Sequence, residues 1–250
     1  MTMKDMETKG TNNKLLCLAD IVNIYSWTKY KELLLENAGL QNKKKLFVHK
    51  VITPNSPTCV LQEDTDKSQY VIISDEKILR YVSFFLNSSI GKLFLICGED
   101  KKRLTGMTNL SQLRKLQIPS DEDVKYPCEM LELLINYLTS LSLTKTSEEL
   151  KRYASTILRF FIQLRDSIVL ELLFPELFDK TNISVLLPWK NEVDKLPMNL
   201  ENDEFILLVF DSLVQPDNEL MANVNRMRVF MTDFVDFIVK ERQGNGMEDK

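Results

Sequence analysis

The sequence predicts an α+β protein, with a strand-rich first half and a helical second half. Three observations carry this. Short β-branched and aromatic runs alternate with turn-forming segments as far as about Asp75. Apolar residues then recur at helical spacing, and beyond Asp121 they do so almost without a break. No repeat of fixed period runs through the chain, which argues against solenoids and arrays. The expected organisation is a polar tail over 1–13, an α+β unit over 14–122 and a helical docking or dimerisation region over 123–250.

The first half reads as strands at 15–25 (LLCLADIVNIY), 45–52 (KLFVHKVI), 59–62 (CVLQ) and 69–74 (QYVIIS). The separators GLQNKKK, TPNSPT and EDTDKS supply the Gly, Pro, Asn, Asp and Ser that turns favour. After Asp75, the apolar positions Ile78, Leu79, Val82, Phe85 and Leu86 predict a helix that Gly91 interrupts or caps. A polar loop over 98–110 follows, then a short helix beginning with Ser111 as N-cap and ending in Gln-Ile-Pro at 117–119. Amphipathic helices are expected over 126–143 and 147–174, the latter opened by Thr146 or Ser147 and closed by Pro175. ISVLLPW (183–189) reads as an apolar connector, and a last helix from about Asp217 to Arg242 places Leu220, Val224, Met227, Phe230, Phe234 and Ile238 on one face.

Composition narrows the function. With 250 residues, 44% of them hydrophobic and 27% charged, the chain can bury one large core or two modest ones. No window approaches the roughly 18–20 apolar residues of a membrane-spanning helix, and the opening residues lack the apolar stretch of a signal peptide, so a cytoplasmic protein is expected. Cys17, Cys59, Cys97 and Cys128 form no CxxC pair and are expected as reduced thiols. The net charge of −4 hides an asymmetry. Residues 1–125 hold 19 Lys/Arg against 15 Asp/Glu, whereas residues 126–250 hold 13 against 21, so only the first half suits a phosphate backbone.

Catalytic chemistry finds little to stand on. Seven glycines fall in neither GxGxxG nor GxxxxGK[ST], so no phosphate-cradling loop is expected, and no cofactor. The glycine-rich cofactor loop and Asn-Pro-Pro-aromatic motif of an adenine methyltransferase are missing too. His49 is the one histidine of the sequence, and an ordinary strand residue is the plainer reading of it than a catalytic base or metal ligand. The acidic turns Glu63-Asp64-Asp66 and Asp121-Glu122-Asp123 read as solvated loop charge in preference to a nuclease metal site.

Residues 81–119 have a distinctive order of parts: Tyr81 to Ser88 (YVSFFLNS), a glycine, a polar loop, then Ser111 to Pro119 leading into Ile-Pro. This order resembles the end of the target-recognition domains of type I restriction-modification specificity subunits and the related C-terminal domains of type II N6-adenine DNA methyltransferases. The opening KLLCLADIVNIYS is similar to the family's first strand, with Ala19 where a glycine is usual. VLELLFPE, Val169 to Glu176, is similar to a phrase near the helical end of such methyltransferases. The resemblance implies a non-catalytic DNA-recognition module that directs a separate methyltransferase, with a restriction subunit or a second copy as further partners.

Under that resemblance the DNA-contacting candidates are the loop residues Lys101, Lys102, Arg103, Thr105 and Asn109 and the second basic cluster Lys43, Lys44, Lys45 and Lys50. A solvated surface patch is the plainer reading of each run. Trp27 and Tyr30 could stack on bases, but core packing suits them better. Phe160, Phe161 and Leu164 are candidates for a partner-docking stripe, with internal packing as the alternative. A protein-interaction scaffold whose helical half holds a partner is the competing functional reading, and a metal-dependent nuclease is a third.

Overall fold

The computed structural model describes residues 15–54, 56–61, 68–97, 106–140, 148–179, 183–195, 203–213, 215 and 218–229. It is an α+β structure, strand-rich in its first part and helical in its second. The expected tail over 1–13 lies outside the described residues.

Among the described residues, three small antiparallel sheets are threaded through the first part. Strands β2 (Asn23–Ser26), β3 (Lys45–His49), β5 (Cys59–Leu61) and β6 (Ser68–Ile73) form a four-stranded sheet in the order β2-β6-β3-β5. Alternation gives this sheet two apolar faces. Phe47, Val71 and Ile73 point towards helix α2 (Trp27–Glu36), where they pack with Tyr30 and the partly buried Trp27. Leu46, Val48 and Ile72 point the other way, into the main core. The predicted strand over 15–25 is instead β1 (Leu15–Cys17), a one-turn helix α1 (Leu18–Ile21) and β2, because Leu18 turns inward and its N–H donates to Leu116 O at 2.8 Å. Trp27 and Tyr30 therefore belong to a helix capped by Ser26, whose Oγ accepts from Lys29 N.

Strand β1 pairs with β9 (Gln117–Pro119), so the start of the described chain meets the end of the expected α+β unit. The third sheet is a ribbon in the order β4-β8-β7, from Val51–Ile52, Gly106–Thr108 and Ile96–Cys97. Residues 98–105 connect β7 to β8.

Helix α3 (Glu76–Asn87) is buried from Tyr81 to Asn87 without a gap, as expected of a helix covered on several sides. It packs between the four-stranded sheet and helix α6 (Glu122–Ser140), and α6 packs in turn on α7 (Glu148–Leu173). One continuous core therefore runs from Leu18 to Met227, across the position near residue 122 where the sequence changes character.

Helix α4 (Ser89–Leu95) follows α3 with Ser88 as the shared joint. Ser88 Oγ donates to Phe85 O at 2.7 Å and accepts from Gly91 N at 2.9 Å, closing one helix and opening the next. A Cβ at Gly91 would lie 1.9 Å from Phe85 O, so glycine is required there by close approach of the two helices. The short helix α5 (Leu110–Lys115) has its N-cap two residues earlier than expected. Its N-cap is Asn109, whose Oδ1 accepts from Ser111 N and Gln112 N, and Ser111 is already inside the helix.

In the second part, α8 (Pro175–Asp179) begins at the proline that ends α7. The predicted connector over 183–189 is largely helix α9 (Leu186–Val193). Its amide end is capped from α7, where Glu171 Oε2 accepts from Val185 N at 2.7 Å and Leu186 N at 2.8 Å. Helix α10 (Asp203–Leu213) has no counterpart in the sequence reading, since EFILLVF is an apolar run without helical spacing. A further helix covers residues 219–229 and buries Leu220, Val224 and Met227, the start of the predicted last helix.

Among the described residues no helix is long and apolar enough to cross a membrane. Cys17, Cys59 and Cys128 are free thiols, Cys59 and Cys128 being buried.

The Gly91 contact yields a test. Gly91→Ala forces backbone against backbone, at a cost of about 3 kcal/mol and a fall in Tm of roughly 6–12 °C. Thermal unfolding followed by circular dichroism checks this, and an unchanged Tm would show that the α3–α4 joint has slack.

Candidate functional site

The candidate DNA-contacting residues divide into three groups. Lys101, Lys102, Arg103 and Thr105 lie outside the described residues. Asn109 is exposed, but its side-chain oxygen is committed to the N-terminus of α5. The second cluster is split by β3. Lys43, Lys44 and Lys45 stand at one end, where Lys44 Nζ pairs with Glu76 at 3.2 Å and Lys45 Nζ donates to Gln41 O and Lys43 O. Lys50 stands at the other end, exposed, and five residues of strand at about 3.3 Å each put roughly 16 Å between Lys45 and Lys50. What the fold brings together is Lys50 and the ribbon. Thr108 N donates to Lys50 O at 3.0 Å, so Lys50 adjoins the strand that the 98–105 connection enters.

The partner-docking candidates are corrected. Phe160 is 5% exposed and Phe161 and Leu164 are fully buried. The reason is that α9 and α10, which the sequence reading did not foresee, cover that face of α7. Phe160 stacks edge-on against Phe210 at 6.0 Å between centroids, and Phe161 lies 6.5 Å from Trp189. Trp189 is itself fixed by donating to Pro127 O on α6 at 2.9 Å.

Of the two acidic turns, 63–66 lies outside the described residues. In the other, Asp121 Oδ1 accepts from Asp123 N at 2.9 Å, the use of a carboxylate that opens a helix. Among the described residues no group of three or more His, Cys, Asp or Glu could hold a metal. His49 lies at the buried end of β3, beside a bulge in its pairing with β6, and its Nδ1 is 3.0 Å from Pro57 O.

Sequence reasoning missed a buried polar cluster between the two parts of the chain. Asn87, at the last position of α3, is its hub. Its Oδ1 accepts from Thr58 N at 2.7 Å and Cys59 N at 3.1 Å. Its Nδ2 faces Ser83 Oγ at 3.0 Å, Glu132 Oε1 at 3.1 Å and Cys59 O at 3.3 Å. Glu132 on α6 is fully buried and also accepts from Ser83 Oγ at 2.7 Å. Arg165 on α7 pairs with Glu132 at 3.4 Å and donates to Asn87 O at 2.8 Å, leaving its Nε buried without a hydrogen-bond partner among the described residues. One residue along, Asp166 accepts from Ser89 N at 2.9 Å and Ser89 Oγ at 2.6 Å. Two carboxylates and two cations, with Lys92 as the second, balance in charge within this buried space.

Lys92, on α4 and 6% exposed, donates from Nζ to Thr53 O at 3.1 Å, Pro54 O at 2.9 Å and Ser56 O at 2.8 Å. Burial, with the Arg165 guanidinium adding to it, pushes the Lys92 ammonium down to about 8, against the smaller opposing pull of Asp166. Burial likewise pushes the Cys59 thiol well up, so it stays protonated and unreactive. The signal that could have found the cluster was YVSFFLNSS itself: Ser83 and Asn87 on α3, and Ser88 and Ser89 at its joint with α4, are polar residues in a stretch otherwise apolar enough to be buried.

The depressed Lys92 value sets a pH dependence. Between about 8 and the ordinary lysine value, the unfolded chain holds a proton that the folded chain has released. Stability from this group therefore rises with pH across that window. Urea unfolding at pH 7.5 and 9.5 should show wild type gaining stability relative to Lys92→Arg, whose guanidinium stays charged; parallel behaviour of the two would contradict the assignment.

No protein-family model, no curated protein and no solved structure matches this chain, so its function is argued from its own residues.

Proposed function

We propose that the protein is a non-catalytic DNA sequence-recognition module of a restriction-modification system, which binds duplex DNA and directs a separate methyltransferase or nuclease. The observation that carries the reading is the ribbon β4-β8-β7. It sets the exposed Lys50 beside the strand entered by residues 98–105, whose sequence contains Lys101, Lys102 and Arg103. An exposed cation at the margin of this three-stranded sheet is suited to a phosphate contact. The excess of Lys and Arg in residues 1–125 and the missing cofactor motifs support the same reading. So does the order of parts over 81–119.

Lys44 and Lys45, engaged with Glu76 and with their own loop, are better placed to hold the start of β3 than to reach DNA. A scaffold role is the second reading. Leu187, Leu208 and Val229 favour it, being 60%, 65% and 67% exposed on the acidic helical half.

Binding to mixed-sequence duplex, followed by fluorescence anisotropy over a salt series, tests the proposal. Wild type should bind at low salt with a steep negative slope of log affinity against log salt. Replacing Lys50, Lys101, Lys102 and Arg103 by alanine together should flatten that slope by roughly 3–4. Absence of duplex affinity at about 50 mM salt would overturn the reading.

A further inference from the structure

The four-stranded sheet has two edges, and the fold treats them differently. At one edge the start of β5 is closed by a side chain. Asn87 Oδ1 accepts from Thr58 N at 2.7 Å and Cys59 N at 3.1 Å, and Asn87 Nδ2 faces Cys59 O at 3.3 Å. The side-chain amide thus takes the place that another strand would fill. At the other edge stands β2, which has β6 on one side and, among the described residues, no strand on the other. Alternate residues of a strand direct their N–H and C=O groups to opposite sides, so about half of those on β2 face outward. Among the described residues no backbone group from outside the sheet bonds to Asn23, Ile24 or Tyr25.

Beside β2 lies a cleft of about 310 Å³, lined by Ala19, Val22, Asn23, Ile24, Tyr25 and Arg114. Its lining reveals its course. Successive side chains of a strand point to opposite faces, so a cleft over one face would meet every second residue. This one meets Val22, Asn23, Ile24 and Tyr25 in a row, all in extended backbone, and therefore runs along the free edge. Arg114 comes from α5, which packs on α1 and carries the exposed cations Arg114 and Lys115 in its last turn. Among the described residues Arg114 enters no ion pair, although the exposed Asp20 lies on the neighbouring α1. A four-residue edge with a cation beside it resists chance pairing with another sheet, yet it accepts a guest that brings the opposite charge. The edge calls for an extended backbone with donors and acceptors of its own, and the planar fork of Arg114 calls for a carboxylate.

We propose that the free edge of β2 is a docking site for an extended, acidic segment of a partner protein, which adds a strand to the sheet and pairs a carboxylate with Arg114. The site is independent of DNA binding and gives the strand-rich half a protein-binding surface of its own.

The test uses the full chain. Exchange of the β2 amides is measured first without ligand, residue by residue. Alternate amides between Asn23 and Ser26 should exchange at least about tenfold faster than their neighbours, and uniform protection would overturn the proposal, since the edge would already be covered. A displayed library of random peptides of about 12 residues is then selected against the protein. Wild type should enrich peptides that combine Asp or Glu with β-branched residues, and a synthesised member of that set should protect the outward amides of β2. Arg114→Glu should weaken this peptide by about tenfold or more, and Arg114→Lys should keep most of the affinity. N-methylation of one alternate set of the peptide's amides should abolish binding, while methylation of the other set should leave it within about twofold. No enrichment, or equal loss from both methylated sets, overturns strand addition. Affinity unmoved by Arg114→Glu overturns the carboxylate contact. Protection that rises with protein concentration alone assigns the edge to a second copy, and protection by duplex DNA but by no peptide assigns it to nucleic acid; either result overturns the peptide reading.

Discussion

The amide of Asn87 stands where three parts of the chain meet, and the geometry around it leaves little freedom. Its oxygen holds the start of β5, its nitrogen faces α3 and α6, and its backbone carbonyl is taken by Arg165 of α7. Glu132 and Arg165 are an ion pair almost wholly withdrawn from water. Such a pair adds little net stability over an apolar pair of the same size, but removing one partner costs about 3–5 kcal/mol, because the other is left charged and buried. The cluster therefore acts mainly as a constraint. It admits one register of α3 against α6 and α7, and apolar contacts around it supply most of the favourable free energy.

That constraint reaches the surface in one direction. From Asn87 it passes to Ser88 and Gly91, which set the angle of α4, and α4 carries Lys92 beneath the carbonyls of Thr53, Pro54 and Ser56. From Arg165 and Asp166 it passes along α7 to Glu171, which caps α9. The helical half thus serves as the base on which the strand-rich half holds its loops. Under the function proposed above, loops and strand ends would be the parts that meet a ligand. The electrostatics agree. Lys50 is exposed to solvent, whereas Lys44 pairs with Glu76 and Lys29 with Glu32, and the buried Glu132–Arg165 pair cancels in charge.

Much of the architecture was legible because periodicity is a direct trace of burial. Residues 45–49 and 68–73 alternate as a two-faced sheet requires, and α3, α6 and α7 carry unbroken helical stripes. What escaped was set by partners distant in sequence. Leu18 bends the first strand into a turn because of Leu116. Residues 186–193 are helical because Glu171 caps them, and α10 is helical although its text is evenly apolar. Missing those two helices made Phe160, Phe161 and Leu164 look like an unpaired stripe. The polar cluster escaped for the same reason. Asn87, Glu132 and Arg165 are 45 and 33 residues apart, and nothing local in the text marks a charged residue that a remote partner will bury. The positively charged runs were visible, but only β3 reveals that Lys45 and Lys50 face different ends of a sheet.

The central claim is that Asn87 and Arg165 act as one unit joining the two halves. A double-mutant cycle with Asn87→Ala, Arg165→Ala and the double variant, read by urea unfolding, measures this directly. The account predicts a coupling energy of about 1–3 kcal/mol, the double variant being markedly less destabilised than the sum of the two singles. Additivity within about 0.3–0.5 kcal/mol would mean that the two residues act independently, and the account would be wrong.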